Sequence, residues 1–155
     1  MARINRLQHI VLNCRDVDAS VDFYTRVVGM EVVSHSTERN MAFLSFGKEH
    51  HDIALFPFRE PADKLEKNHL GLNHIALEIE GGEQELKDYY QHLKSNSVDI
   101  DGTMDHVMSQ SIYFFDPDGN RIEVFADMLH DEAKEWLHQN GGVAKPLVLE
   151  EASAD

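Results

Sequence analysis

A single cysteine in 155 residues, Cys14, has no partner within the chain for a disulfide, and a lone thiol fits a reducing cytoplasm better than a stapled secreted scaffold. Basic side chains are also scarce. Fourteen Lys and Arg stand against 28 Asp and Glu, a net charge of −14. That charge repels phosphate backbones and anionic headgroups, so no nucleic-acid or membrane partner is expected. No apolar run approaches the ~20 residues of a membrane-spanning helix, and residues 1–10 lack the apolar stretch of a signal peptide. The expected location is therefore cytoplasmic. Hydrophobic residues at 42% and charged residues at 27% make an ordinary globular composition, of a length for one domain or two small modules sharing a core. Histidine is what the chain has in quantity, at ten. It titrates near neutral pH and is the commonest metal ligand.

The chain repeats itself. Leu7-Gln8-His9-Ile10-Val11-Leu12 reads like Leu72-Asn73-His74-Ile75-Ala76-Leu77, 65 residues later. A helical stripe follows each copy: Val17, Val21, Tyr24 and Val28 in the first, capped by Asp16 or Asp18 and ended by Gly29, and Leu86, Tyr90 and Leu93 in the second. Three β-prone runs come next in each half, Glu31-Val33, Met41-Phe46 and Ile53-Phe56 against Val98-Ile100, Ser111-Phe115 and Arg121-Phe125. Asp116-Pro117-Asp118-Gly119-Asn120 between the last two is a turn, with Pro presetting φ and Gly permitting a positive φ. The fold class expected is α+β, two βαβββ modules (about residues 6–58 and 71–127) paired in one domain spanning 1–127 with a curved, half-closed mixed sheet. Residues 60–70 read as a linker. Residues 128–155 read as a short helix over 131–139 and an acidic surface tail that includes Pro146.

His9 and His74 occupy the same place in the two repeats, on the strand face of Leu7 and Val11 and of Leu72 and Ala76. Each reads either as a hydrogen-bonded core histidine or as a metal ligand; pseudo-twofold pairing of the halves favours the second by bringing both to the axis. Glu123 is an acid inside the apolar strand Arg121-Ile122-Glu123-Val124-Phe125, where an unpaired charge is costly. It pairs either with a base such as Arg121 or with a metal. Two imidazoles and a carboxylate make the facial triad of non-haem Fe(II) oxygenases. Ala54 stands at the repeat-equivalent position of Glu123, so three protein ligands are expected and not four.

These residues are similar to those of the vicinal oxygen chelate superfamily, which includes glyoxalase I, fosfomycin-resistance transferases, bleomycin-binding proteins and type I extradiol catechol dioxygenases. The dioxygenases resemble this chain most. Their signature, a histidine followed by an aliphatic-Tyr pair, a Pro-containing turn and the ligand Glu, is matched by His106, Ile112-Tyr113, Asp116-Pro117 and Glu123, with Met104 as a departure. Their His-Asp-x-Ala motif is matched by His51-Asp52-Ile53-Ala54. The resemblance implies Fe(II), or Mn(II), held by His9, His74 and Glu123, with a small aromatic diol and O₂ as substrates. It also implies His51 as acid–base residue, Tyr113 hydrogen-bonded to the substrate oxygen, and His106 orienting the substrate or closing the pocket. In an unbroken strand His50, not His51, shares the face of Ala54, so the motif requires a bulge near Asp52. The other histidines, His35, His69, His92, His130 and His138, read as surface or helix residues.

Two other functions compete. A chelate enzyme of another kind, a glyoxalase-like isomerase or a fosfomycin-type thiol transferase, shares the His-His-Glu set, although glyoxalase normally needs the fourth ligand that Ala54 denies. A bleomycin-resistance-like binding protein has no use for the triad. A homo-oligomer is expected, because open curved sheets leave edges and apolar surface that small modules cover by self-association.

Overall fold

The computed structural model describes residues 2–60 and 63–149. The acidic end, Glu150 to Asp155, lies outside the described residues. The chain divides into two compact units, Met1–Lys64 and Leu65–Asp155, each built as βαβββ.

In the first unit, β1 (Ile10–Cys14) leads into α1 (Val17–Arg26), then β2 (Glu31–Ser36), β3 (Met41–Ser45) and β4 (Ile53–Pro57). The Asp16 carboxylate caps α1 by accepting from the Ala19 amide at 3.1 Å, and satisfies one of the donors a helix start leaves open. Val17, Ser20, Phe23 and Tyr24 form the buried stripe of that helix. The sheet order is β1-β4-β3-β2, with β1 and β4 parallel and the other pairs antiparallel. Leu12, Cys14, Leu44, Ile53 and Leu55 are its core, while Val11 is half exposed on the opposite face.

The second unit repeats the plan with β5 (Ile75–Glu78), α2 (Glu83–Ser95), β6 (Ile100–Asp105), β7 (Ser109–Phe115) and β8 (Arg121–Asp127), and adds a short β9 (Lys145–Pro146), in the sheet order β5-β8-β7-β6-β9. Leu86 and Leu93 are the fully buried side chains of α2, and Tyr89 packs on Phe114. Each such leucine stabilises the fold by about 1.5–3 kcal/mol. The repeat extends to irregularities: β2 carries a register shift between Val32 and Ser34, and β6 carries one between Ile100 and Gly102. Val11 pairs with Ala54 as Ala76 pairs with Glu123, and Phe43 stands opposite Ala54 as Tyr113 stands opposite Glu123.

Several details differ from the sequence expectation. The strand expected over Val98-Ile100 starts at Ile100 and runs to Asp105, because its pairing partner β7 is seven residues long. Pro146 is not tail: it forms β9 (Lys145–Pro146), an edge strand on β6 where a residue without an N–H is tolerated. The C-terminal helix arrives as a 3₁₀ turn, His130–Glu132, followed by α3 (Ala133–Asn140).

The Asp116–Asn120 turn is rigidly tied. Buried Asp116 accepts from the amides of Asp118 and Asn120 at 2.9 and 2.7 Å and from the Asn120 side chain at 2.8 Å. Gly119 has φ +93°, and a Cβ there would lie 2.9 Å from the Leu65 carbonyl oxygen. This turn delivers β8, and hence Glu123, beside β7.

Candidate active site

His9 and His74 each sit one residue ahead of their strands, at the mouths of β1 and β5 and not inside them. In the second unit His74 is half-buried and its Nε2 lies 2.8 Å from Glu123 Oε2. The other oxygen of Glu123 accepts from Ser111 Oγ at 2.6 Å and from the Tyr113 hydroxyl at 2.9 Å. His106, at the end of β6, places Nε2 3.0 Å from that hydroxyl. Tyr113 has one proton and gives it to Glu123, so His106 Nε2 is the donor in this contact. Four of the six residues singled out from the sequence or from the resemblance are therefore neighbours or linked by a single hydrogen-bond chain: His74, Glu123, Tyr113 and His106.

Glu123 is 7% exposed, and no Lys or Arg bonds it among the described residues. The alternative partner, Arg121, turns away: its Nε donates to Asp101 Oδ2 at 2.9 Å and its guanidinium lies 4.0 Å over the Tyr113 ring. The reason is the β6 register shift, which leaves Asp101 as the extra residue facing the start of β8.

The arrangement at His74 fits a metal ligand. Its Nδ1 is 2.7 Å from the Asn73 side-chain oxygen; an acceptor there keeps the proton on Nδ1, so Nε2 presents a lone pair. A lone pair facing a carboxylate oxygen at 2.8 Å is repulsive unless a proton or a cation serves both. Two adjacent ligands with bonds of about 2.1 Å at right angles are about 3 Å apart, so the spacing suits one edge of a coordination octahedron. Asn73 is then the outer partner that orients the imidazole. Among the described residues no group of three or more His, Cys, Asp or Glu side chains is gathered as a metal cage.

In the first unit, His9 and His51 are in ring contact at 4.4 Å, and His51 also packs on Phe43 at 5.2 Å. Phe43 stands opposite Ala54, so His51 lies on the Ala54 face. No strand bulge is needed. β4 starts only at Ile53, and Asp52 turns its carboxylate back to accept from Ser45 Oγ at 3.0 Å and the Phe46 amide at 2.8 Å. His50 is exposed, with its Nδ1 2.6 Å from that of His51. Burial, and then the charges of His9 and His50, holds the His51 pKa below the ordinary histidine value.

The sequence pattern of the Glyoxalase/Bleomycin resistance protein/Dioxygenase superfamily matches residues 6–124. The chain belongs to this superfamily. Biphenyl-2,3-diol 1,2-dioxygenase 3 of Rhodococcus globerulus is 31% identical, over 95% of this chain and 81% of its own. Metallothiol transferase FosB of Staphylococcus epidermidis is 29% identical, over 88% of this chain and 92% of its own. The solved structure of the fosfomycin resistance protein FosX from Listeria monocytogenes shares the fold, with a TM-score of 0.67 at 22% identity, covering 86% of this chain and 99% of that one. Relatives in the superfamily thus include a dioxygenase and a metal-dependent transferase.

Two residues of the candidate site were not marked by the sequence. Ser111 is fully buried against Glu123; its place two residues before Tyr113, on the same strand face, is the signal that could have found it. Asn73 carried no signal beyond standing next to His74. No helix of the described residues is long and apolar enough to cross a membrane.

Proposed function

We propose that this chain is an Fe(II)-dependent extradiol dioxygenase. Its substrate would be a catechol-type aromatic diol, cleaved at the ring carbon–carbon bond beside the two hydroxyls, with both atoms of O₂ entering the product. The observation that most supports this reading is the chain of contacts from His106 through Tyr113 to Glu123, at 3.0 and 2.9 Å. A thiol transferase built on two histidines and a glutamate has no evident need for a phenol and a further imidazole leading to its carboxylate. The 31% identical biphenyl-diol dioxygenase supports it as well.

In this reading His9, His74 and Glu123 hold the metal, which when bound supplies the charge that eases diol deprotonation and the one-electron chemistry that lets O₂ react. His51 is the acid–base residue. Held neutral by burial, its imidazole can take a diol proton and return one as the ring opens. The Tyr113 phenol is pushed up to about 12 by burial and then by the Glu123 carboxylate, so it stays protonated, and its single proton would turn from Glu123 to a diol oxygen when substrate binds. His106 orients that phenol through its oxygen. Mn(II) is the other metal this ligand set suits, and a FosX variant has been crystallised with Mn(II).

The second reading is a metallothiol transferase, favoured by the 29% identity to FosB. Anaerobic loading with Fe(II) or Zn(II), followed by O₂ uptake over a panel of catechols, separates the two. Fe(II) supports uptake and Zn(II), which is redox-inert, does not. Thiol addition or isomerisation supported by zinc or nickel, without O₂ consumption, would sink the dioxygenase reading. Exposed Val11, Val32, Val33, Phe46 and Phe58 in the first unit favour a homodimer that covers them, and the buried thiol of Cys14, in no disulfide, suits a cytoplasmic location.

A further inference from the structure

The site face of the second unit does not end at Tyr113 and Glu123. Two residues along each strand, on the same face, Phe115 stands opposite Arg121. Beyond them opens a cleft of about 160 Å³ whose lining includes Lys67, His69, Asn73, Asp101, Phe115 and Arg121. Two cations lie on two of the three aromatics of β7: the Arg121 guanidinium 4.0 Å over the Tyr113 ring and Lys67 Nζ 4.5 Å over the Phe115 ring.

The charge and donor count of this cleft is unbalanced. Lys67 Nζ donates to Asp101 Oδ1 at 3.1 Å and Arg121 Nε to Asp101 Oδ2 at 2.9 Å, so one carboxylate answers two cations. The cleft keeps a net positive charge in a chain of net charge −14. Beyond Asp101, the one further hydrogen-bond acceptor of Arg121 among the described residues is the Asn73 side-chain oxygen, 3.5 Å from NH1. The second amino group of Arg121 and the remaining hydrogens of Lys67 have no acceptor among the described residues. Aromatic rings hold both cations from below and Asp101 fixes them laterally, which is a pre-organised arrangement for an anion. Asn73 joins this cleft to the candidate ligand His74.

We propose that the cleft is a subsite for a carboxylate on the substrate ring, held by Arg121 and Lys67, and that the preferred substrate is a carboxylated catechol and not a neutral diol. This rests on the dioxygenase reading for the diol and on the cleft alone for the carboxylate. A carboxylate fits better than a neutral ring substituent, because a neutral group would strip water from two cations and return no charge-assisted hydrogen bond.

The test uses the full chain with 3,4-dihydroxybenzoate and catechol as probes. With Fe(II) the ratio of kcat/KM for 3,4-dihydroxybenzoate to that for catechol exceeds one. Arg121→Gln lowers that ratio by about ten- to hundredfold, the range of a charge-assisted hydrogen bond. Lys67→Gln, on an exposed segment where folding is not at stake, lowers it less. Titration calorimetry on the same proteins without added metal gives a readout independent of turnover: 3,4-dihydroxybenzoate binds more tightly than catechol, Arg121→Gln removes most of the difference and Lys67→Gln a smaller part of it. If no diol is cleaved but this binding preference persists, the carboxylate subsite stands and the dioxygenase reading falls. If the substitutions change both probes equally in turnover and in calorimetry, or if 2,3-dihydroxybiphenyl is preferred to the acid, the subsite is refuted.

Discussion

Ser111 and Tyr113 donate to the same oxygen of Glu123, at 2.6 and 2.9 Å, and this shared acceptor makes a quantitative prediction. Ser111→Ala removes a fully buried hydroxyl, and Tyr113→Phe removes a phenol oxygen. Each takes away a hydrogen bond to a charged group, worth about 1.5–3 kcal/mol. After either change the carboxylate oxygen retains its other donor, so each variant loses about 1.5 kcal/mol, or about 3–6 °C in a chain of this size. The double variant strips Oε1 of both donors in a site where Glu123 is only 7% exposed, and a buried charged oxygen left without a donor costs the full desolvation term. The double loss therefore exceeds the sum of the singles by about 1 kcal/mol or more. Urea denaturation of the four proteins, freed of metal so that a chelate does not mask the effect, measures this coupling. Additivity within about 0.5 kcal/mol would refute the shared-acceptor geometry, and so would a Ser111→Ala variant as stable as the parent.

Three further outcomes are expected. His74→Ala and Glu123→Ala lose bound iron by elemental analysis, whereas His51→Ala retains it and loses about 10²–10⁴ in turnover; His50→Ala stays close to the parent, and a crippled His50 variant beside a normal His51 variant would reverse the assignment. Burial raises the Tyr89 phenol above its ordinary value and brings Tyr113 up to about 12; a raised folded pKa contributes stability that is complete below the unfolded value near 10 and is lost as pH climbs through the folded one. Absorbance at 295 nm should then show late-titrating tyrosines, and melts should fall above pH 10 less steeply in Tyr89→Phe. Gly119→Ala puts a Cβ 2.9 Å from the Leu65 carbonyl oxygen at φ +93°, and costs about 1–3 kcal/mol of backbone strain, read as a lowered melting temperature; an unchanged melt would mean the turn is not tied to residue 65.

The two βαβββ units were legible because the repeat writes each strand twice in the same order. The match of Ala54 to Glu123, read from sequence, reappears as the pairing of Val11 with Ala54 and of Ala76 with Glu123. What sequence could not carry depends on partners far along the chain. Arg121 pairs with Asp101 and not with Glu123 because β6 holds an extra residue at that point, and no local pattern marks the shift. The side on which His51 falls depends on where β4 begins, which Asp52 decides through hydrogen bonds to Ser45 and Phe46. Pro146 reads as tail until β6 offers it an edge.

Ring cleavage by O₂ leaves an isotopic signature that ¹⁸O₂ reads out. The Fe(II)-loaded chain would be mixed with 3,4-dihydroxybenzoate or catechol under ¹⁸O₂ and the product analysed at once by mass spectrometry. The expected product is a ring-opened acid carrying both labelled atoms. A quinone free of label, or no O₂-dependent product from either diol, would contradict it.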